Sequence, residues 1–217
     1  MSFDKSDAVT LIVGSERHEM LVHANQISKT SAFFKAALKK EWLETRTIHL
    51  PAETEQNITH YLRFAYSGIC PDAGDAGTMS EEEHHDLEWT TLAQLYTLGK
   101  RLMDDVLQDQ VIGRLIWLNI TLDSDDVPSR DPIDIIYTGT LTGDPARKLL
   151  VDLYLKSGKP QSLANGADPA LLLDLALAHL SKAEDRVALG VYRHKRLSAS
   201  DYVGKKEVCV VSDMHLR

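Results

Sequence analysis

The sequence predicts an α+β domain followed by a helical extension. Short β-branched segments cluster in the first 50 residues, helical periodicity dominates from there to residue 182, and a polar segment with two prolines lies at 123–132. We therefore expect a small sheet capped by a cluster of helices at residues 6–120, an α-helical C-terminal extension at 121–203, and a tail at 204–217.

The sheet is predicted from three short segments. Ala8–Val13 (AVTLIV) is apolar and rich in β-branched residues, and it runs into a turn at 14–17 that contains glycine. The segment 19–22 (EMLV) then forms the second strand of a predicted hairpin. A third strand, 47–50 (TIHL), is followed by a proline, which cannot continue a strand ladder.

Helices are predicted where apolar residues recur three and four positions apart. One helix follows the hairpin and carries Ile27 and Phe34 on one face, with Phe33 at its edge. The next carries Tyr61 and Tyr66, both expected in the core. Gly68 is placed to end this second helix.

Later helices are predicted at residues 89–118, as a pair, and at 132–138, 144–156 and 168–182. In the second of the last three, Asp144 is expected to cap the helix, with Pro145 at its first position. In the last, the apolar face is predicted from its aligned leucines, which are Leu171, Leu172, Leu175 and Leu180. The segment 70–88 contains proline, two glycines and three consecutive glutamates, and is expected to be a surface loop.

Composition excludes several classes of protein. The chain has 217 residues with 24 basic and 32 acidic side chains, a net charge of -8, and 43% hydrophobic residues, as in ordinary globular proteins. This acidic balance argues against nucleic-acid binding. No apolar run has the length of a membrane span, and the N-terminus lacks a secretory signal pattern. With only two cysteines, we expect an intracellular protein, cytoplasmic or nuclear.

Few residues suggest chemistry. The chain contains no G-x-S-x-G elbow, P-loop or G-x-G-x-x-G, so no enzyme activity and no cofactor are expected. Asp213 and His215 follow an apolar segment and resemble the opening of metallophosphoesterases, which makes a metal-dependent phosphohydrolase fragment one alternative. Such a site needs further ligands, and we expect a chance match. His84 and His85, after the three glutamates, are expected to lie in a solvated loop.

Longer segments resemble a BTB/POZ domain. SDAVTLIVG with MLVH is similar to the first hairpin of that family, and HANQISKTSAFFKAAL to its next helix. TIHLPAETEQNITHYLRFAYSGIC resembles the strand, helix and Tyr-Ser-Gly turn that follow, and LYTLGKRLMDDVLQDQVIGRL the closing pair of helices. The resemblance covers about residues 6–120, and segments 132–182 are similar to the helical extension of many fungal BTB proteins.

The resemblance implies an interaction module with protein partners. BTB domains self-associate, and many dock as adaptors onto the cullin scaffold of ubiquitin ligases through an apolar-x-Glu triplet, which Trp42, Leu43 and Glu44 match here. A self-assembling structural or transcriptional scaffold without a ligase is the main alternative. Ala24 stands where many self-associating members have a basic residue, so their usual groove charge pair, with Asp7 as the acid, is not expected.

Overall fold

The structure, a computed structural model, describes residues 7–39, 46–72, 78–121, 127–157, 163 and 168–189. The described strands are β1 (Ala8–Val13), β2 (His18–His23) and β3 (Thr47–Leu50). The described helices are α1 (Ala24–Ile27), α2 (Ala32–Ala37), α3 (Glu55–Ser67), α4 (Glu81–Arg101), α5 (Asp105–Thr121), α6 (Arg130–Gly139), α7 (Pro145–Ser157) and α8 (Pro169–Leu189). The predicted α+β class is confirmed.

The predicted hairpin and third strand form one small mixed sheet in the order β2-β1-β3. β1 pairs antiparallel with β2, so that Val9 lies opposite Val22, and parallel with β3, so that Val13 lies opposite Leu50. β1 is paired along both edges, and it has buried side chains on both faces, such as Leu11 on one face and Ile12 on the other, which agrees with its nearly continuous apolar sequence.

The single helix predicted after the hairpin is wrong. The chain instead forms two short helices, α1 and α2, which are separated at residues 28–31. Ser31 has extended backbone angles, and its hydroxyl accepts the N–H of Phe34 and donates to the carbonyl of Leu102. A serine at this position favours a new N-cap over a continued helix, since its side chain satisfies an otherwise unpaired amide.

Helix α3 ends where the sequence predicts, but its buried face includes only one of the two tyrosines expected there. Thr54 caps its first turn by accepting the N–H of Asn57, and Gly68 ends it in the left-handed conformation at φ 74°. Tyr61 is buried as predicted, whereas the expectation for Tyr66 is wrong, because 48% of that residue is exposed. The Tyr66 hydroxyl lies 2.8 Å from Nδ1 of His23, at hydrogen-bonding distance.

Helix α4 begins earlier than predicted, at the three glutamates. Ser80 accepts the N–H of Glu83, while the Glu83 carboxylate accepts the N–H and hydroxyl of Ser80, which is a complete capping box. These hydrogen bonds lower the pKa of Glu83. The loop expected at 70–88 is therefore wrong from Glu81 onward, where His84 and His85 are helical residues.

The helical extension shares its core with the first part of the chain. One cluster of buried side chains contains Val9 at one end of the sequence and Leu171 at the other. Helix α6 lies so close to α4 that a Cβ on Gly139 would come within 2.4 Å of a Thr97 methyl carbon. None of the described helices is both long and apolar enough to cross a bilayer.

Candidate functional site

The predicted contact residues Trp42, Leu43 and Glu44 lie outside the described residues, so their placement stays a prediction. The described chain holds both flanks of this segment. Helix α2 ends at Ala37 on one side, and Arg46, before β3, accepts the N–H of Thr10 at 2.9 Å on the other. The sheet and α2 thus set where the segment begins and ends.

Helix α2 is tied at its other end to the turn between α4 and α5. The N–H of Ala32 donates to the carbonyl of Met103 at 3.1 Å, and the N–H of Phe33 donates to the carbonyl of Leu102 at 3.3 Å. The Ser31 hydroxyl also donates to Leu102, at 2.6 Å. The unpaired amides at the start of α2 are thus satisfied by the unpaired carbonyls at the end of α4.

Asp104, the next residue of the turn, is fully buried and joins three parts of the chain. Its Oδ2 accepts the hydroxyl of Thr30 at 2.6 Å and that of Tyr61 at 3.3 Å, while Oδ1 accepts the N–H of Leu107 at 3.0 Å. Burial, reinforced by the Asp104 carboxylate, raises the pKa of Tyr61, so this phenol stays a hydrogen-bond donor. The turn is held firmly by these contacts.

Two apolar side chains nevertheless face solvent at this rigid turn. Met103 is 52% exposed and Val106 is 46% exposed. The backbone of Met103 is left-handed, with φ 49°, a conformation that glycine adopts far more readily than methionine. Helix α2 has six residues, so its two ends are only about 9 Å apart.

Sequence patterns did not reveal Met103 or Val106 as surface residues. Both continue an apolar spacing that would suit a core helix, and their exposure depends on contacts with α2, which lies about 70 residues earlier. The one available signal was the position of Met103 directly after the last turn of α4, where a C-terminal cap is expected.

The Asp144 cap is confirmed, and it does more than start α7. Its Oδ1 accepts the N–H of Ala146 at 2.9 Å and the hydroxyl of Tyr96 at 2.7 Å, and Oδ2 meets Lys100 Nζ at 2.7 Å. This carboxylate therefore occupies the start of the helix, where an anion would otherwise bind.

The remaining reactive side chains have structural contacts. His85 accepts the indole N–H of Trp89 at 3.0 Å. Burial raises the pKa of the Cys70 thiol to about 12, so it stays protonated near neutral pH and is a poor nucleophile. Among the described residues, no group of three or more His, Cys, Asp or Glu side chains could hold a metal ion. Asp213 and His215 lie outside that part of the chain.

The comparisons with known proteins do not extend this picture. No family model and no curated protein matches the sequence.

Proposed function

We propose that this chain is a non-catalytic protein–protein interaction module of the BTB type, which docks onto a cullin scaffold. We call the proposed contact residues, Met103, Val106 and the predicted residues 42–44, the docking surface. The observation that carries the proposal is the α4–α5 turn, which presents Met103 and Val106 to solvent beside the helix that leads to Trp42, Leu43 and Glu44.

The choice of residue at 103 supports a binding role. A left-handed residue at this position is ordinarily glycine, and a methionine there costs about 1 kcal/mol in backbone strain. Half of its side chain is exposed, so little burial offsets that strain. Methionine is enriched at protein interfaces because its flexible thioether adapts to a partner. Residues that reduce stability without packing in the core are typical of functional surfaces.

The arrangement of the first part of the chain also agrees with the proposal. The described order is a hairpin, two short helices, a parallel third strand and a longer helix, which is compatible with the order of elements that the resemblance implies. In the sequence, residues 42–44 fall between α2 and β3. A specific interface buries about 1,200–2,000 Å² in total. The docking surface would supply its apolar centre, with Trp42 as the expected anchor.

The first test is a titration of the full chain against the N-terminal region of a BTB-binding cullin. We expect micromolar binding for the parent, loss of at least about tenfold for Trp42→Ala with Glu44→Ala, and a three- to tenfold loss for Met103→Gly. Met103→Gly is the sharper variant. Glycine relieves the left-handed strain, so the thermal midpoint should rise while affinity falls, and misfolding cannot explain the loss.

Leu141→Ala is the matched control, because Leu141 is 84% exposed and lies at the start of the turn between α6 and α7. Its affinity should equal that of the parent. If the parent does not bind the cullin fragment at tens of micromolar, the ligase role is overturned. If the parent binds and Met103→Gly binds equally well, the α4–α5 turn is not part of the docking surface.

A further inference from the structure

Strand β2 forms an open edge of the sheet in the described part of the chain. It is an outer strand in the order β2-β1-β3, so no described strand pairs with its outer side. Its six residues, His18–His23, include neither proline nor lysine, which commonly protect such an edge. Leu21, in the middle of the strand, is 75% exposed. An edge of this length and composition can receive a further strand.

The opposite edge of the sheet is less suited to a further strand. β3 has only four residues, and Pro51 directly after it has no backbone N–H to donate. On β2, side chains alternate between two faces. Val22 is buried and Met20 is partly buried against the core, while Leu21 points to the other face. A strand that covers β2 therefore needs apolar side chains on both of its faces.

Residues 207–211 (EVCVV), which lie outside the described residues, have this pattern. Val208 and Val210 would share one face of a strand, and Cys209 and Val211 the other, so both faces are apolar. A single strand is not stable without a sheet. The described chain provides one sheet, and β2 is its longer edge.

The chain is long enough to bring this segment to β2. Helix α8 ends at Leu189, and 17 residues, 190–206, connect it to the segment. Fully extended, 17 residues span about 55 Å. A compact chain of this length has a diameter of about 45 Å. The connection therefore permits pairing within one chain wherever α8 ends.

Charge favours an antiparallel pairing in which Cys209 lies opposite Leu21. Opposite charges then meet at both ends of the paired segment. At one end, Asp213 lies opposite Arg17, directly before β2. At the other end, two lysines at 205 and 206 follow beyond His23, where the Asp7 carboxylate accepts the N–H of Asn25 at 3.4 Å; this list of charged groups comprises Lys205, Lys206 and Asp7.

A parallel pairing with the same centre brings like charges together. Lys205 would lie opposite Arg17, and Glu207 would lie opposite Glu19. Like charges directly opposite each other destabilise a ladder. The antiparallel direction is therefore the favoured one.

We propose that residues 207–211 pair antiparallel with β2 of the same chain, as a fourth strand that closes the outer edge of the sheet. This strand covers Leu21 and keeps the edge from pairing with other chains. The inference goes beyond the proposed function and does not depend on cullin binding.

A disulfide formed by the native Cys209 tests the pairing in the full chain. Opposite residues of an antiparallel pair have Cα atoms about 4.5–5.5 Å apart, which is within the range of disulfides. In oxidised glutathione, Leu21→Cys should form a disulfide with Cys209 at least about tenfold faster than Leu141→Cys does. Leu141, at 84% exposure, is the matched control, because it lies between α6 and α7. Peptide mass mapping identifies the bonds, and Cys209→Ser should abolish them.

The register is tested by Glu19→Cys, which changes the exposed residue two positions before Leu21 on the same face. Its disulfide with Cys209 should form more slowly, because the two residues are diagonal neighbours about 7–8 Å apart. A faster reaction at position 19 than at position 21 overturns the proposed register.

Hydrogen exchange measures the pairing without a new cysteine. In the parent, the amides of 207–211 should exchange at least about tenfold more slowly than in the urea-unfolded chain. Val210→Pro should remove this protection, because proline lacks a donor and does not fit within a ladder. Met214→Pro, beyond the proposed strand, should retain it. Circular dichroism checks that both variants are folded.

The proposal is overturned if Leu21→Cys and Leu141→Cys react with Cys209 at equal rates, or if residues 207–211 are unprotected in the parent. It is also overturned if the disulfide at position 21 joins two chains, which a non-reducing gel shows as a dimer. The occupant of the edge would then be a second copy. None of these results bears on cullin binding, so the two proposals fail separately.

Discussion

At the scale of single residues, two buried glutamates are each paired with an arginine. Glu53 pairs with Arg101 through two hydrogen bonds of 2.6 and 2.7 Å, and Glu88 accepts two from Arg114, at 2.9 and 2.6 Å. Each glutamate is nearly inaccessible to solvent. A buried carboxylate that lost its arginine would cost several kcal/mol. The first pair therefore holds the turn before α3 against α4, and the second holds α4 against α5. Nothing local in the sequence identifies which of the 32 acidic residues are buried.

His60 is a buried residue whose titration should affect stability. It is 8% exposed, and its Nδ1 has no hydrogen-bond partner. Burial, with a further contribution from Arg63, lowers the pKa of His60 below 6.5, although Asp72 acts in the opposite direction. The unfolded chain therefore takes up a proton at higher pH than the folded chain does. This contribution to stability is complete above pH 6.5 and is lost as the pH falls below that value.

We predict that His60→Leu makes the free energy of unfolding less dependent on pH between 7.5 and 5.5. One proton accounts for a slope of at most about 1.4 kcal/mol per pH unit. The variant should also be at least as stable as the parent at pH 7.5, since it removes an unpaired buried nitrogen. Urea titrations at both pH values measure this, with His49→Leu, at an exposed position, as the matched control. Equal slopes for parent and His60→Leu would contradict the prediction.

At the scale of secondary-structure elements, the ends of helices followed local rules, and distant contacts set the exceptions. The capping box of Ser80 and Glu83 is a local sequence pattern that marks the start of α4, which apolar periodicity alone places too late. The break between α1 and α2 is different, because the Ser31 hydroxyl also donates to Leu102, 71 residues later. Local periodicity carries no information on such a partner.

The crossing of α4 and α6 depends on a glycine. A Cβ added at Gly139 would lie 2.4 Å from Thr97 Cγ2 and 2.9 Å from Thr97 Cβ, which no rotation of the threonine relieves completely. We predict that Gly139→Ala lowers the free energy of unfolding by about 1–3 kcal/mol, because the helices must move apart. Chemical denaturation measures the effect.

Gly113→Ala is the matched control in the neighbouring helix α5. A Cβ there has no neighbour within 4 Å, so the substitution should raise stability by about 0.5–1 kcal/mol through helix propensity alone. If both variants change stability in the same direction, the close approach of α6 to α4 does not explain the effect at Gly139.

At the scale of the whole molecule, the extension is bound to the first part of the chain by polar as well as apolar contacts. The Asp144 carboxylate, at the start of α7, accepts the hydroxyl of Tyr96 and forms an ion pair with Lys100. Both of these residues lie on α4. The surface of α4 that faces α6 and α7 includes Thr97, which is also buried. The domain boundary at residue 120 stays a prediction. One cluster of buried side chains includes residues on both sides of it.

We predict that a chain ending at residue 121 is less stable than the full chain by at least several kcal/mol. Its α4 would lose the packing against α6, and each large side chain that becomes exposed gives up about 1.5–3 kcal/mol of burial. Thermal unfolding followed by circular dichroism compares the two chains. Equal midpoints of thermal unfolding would mean that residues 1–121 fold independently and that exposing this surface of α4 does not lower stability.

Local patterns in the sequence are enough to predict the α+β class, the hairpin and its turn, the third strand, the Gly68 and Asp144 helix ends, and the helices of the extension. These depend on periodicity and on the preferences of single residues, which act over a few positions. The exposure of Met103 and Val106 depends instead on contacts between distant elements, as does that of Leu172 and Leu180, for which the predicted apolar face of the last helix is wrong. Apolar residues look alike in sequence whether they are buried or exposed, and burial depends on which distant elements pack against them.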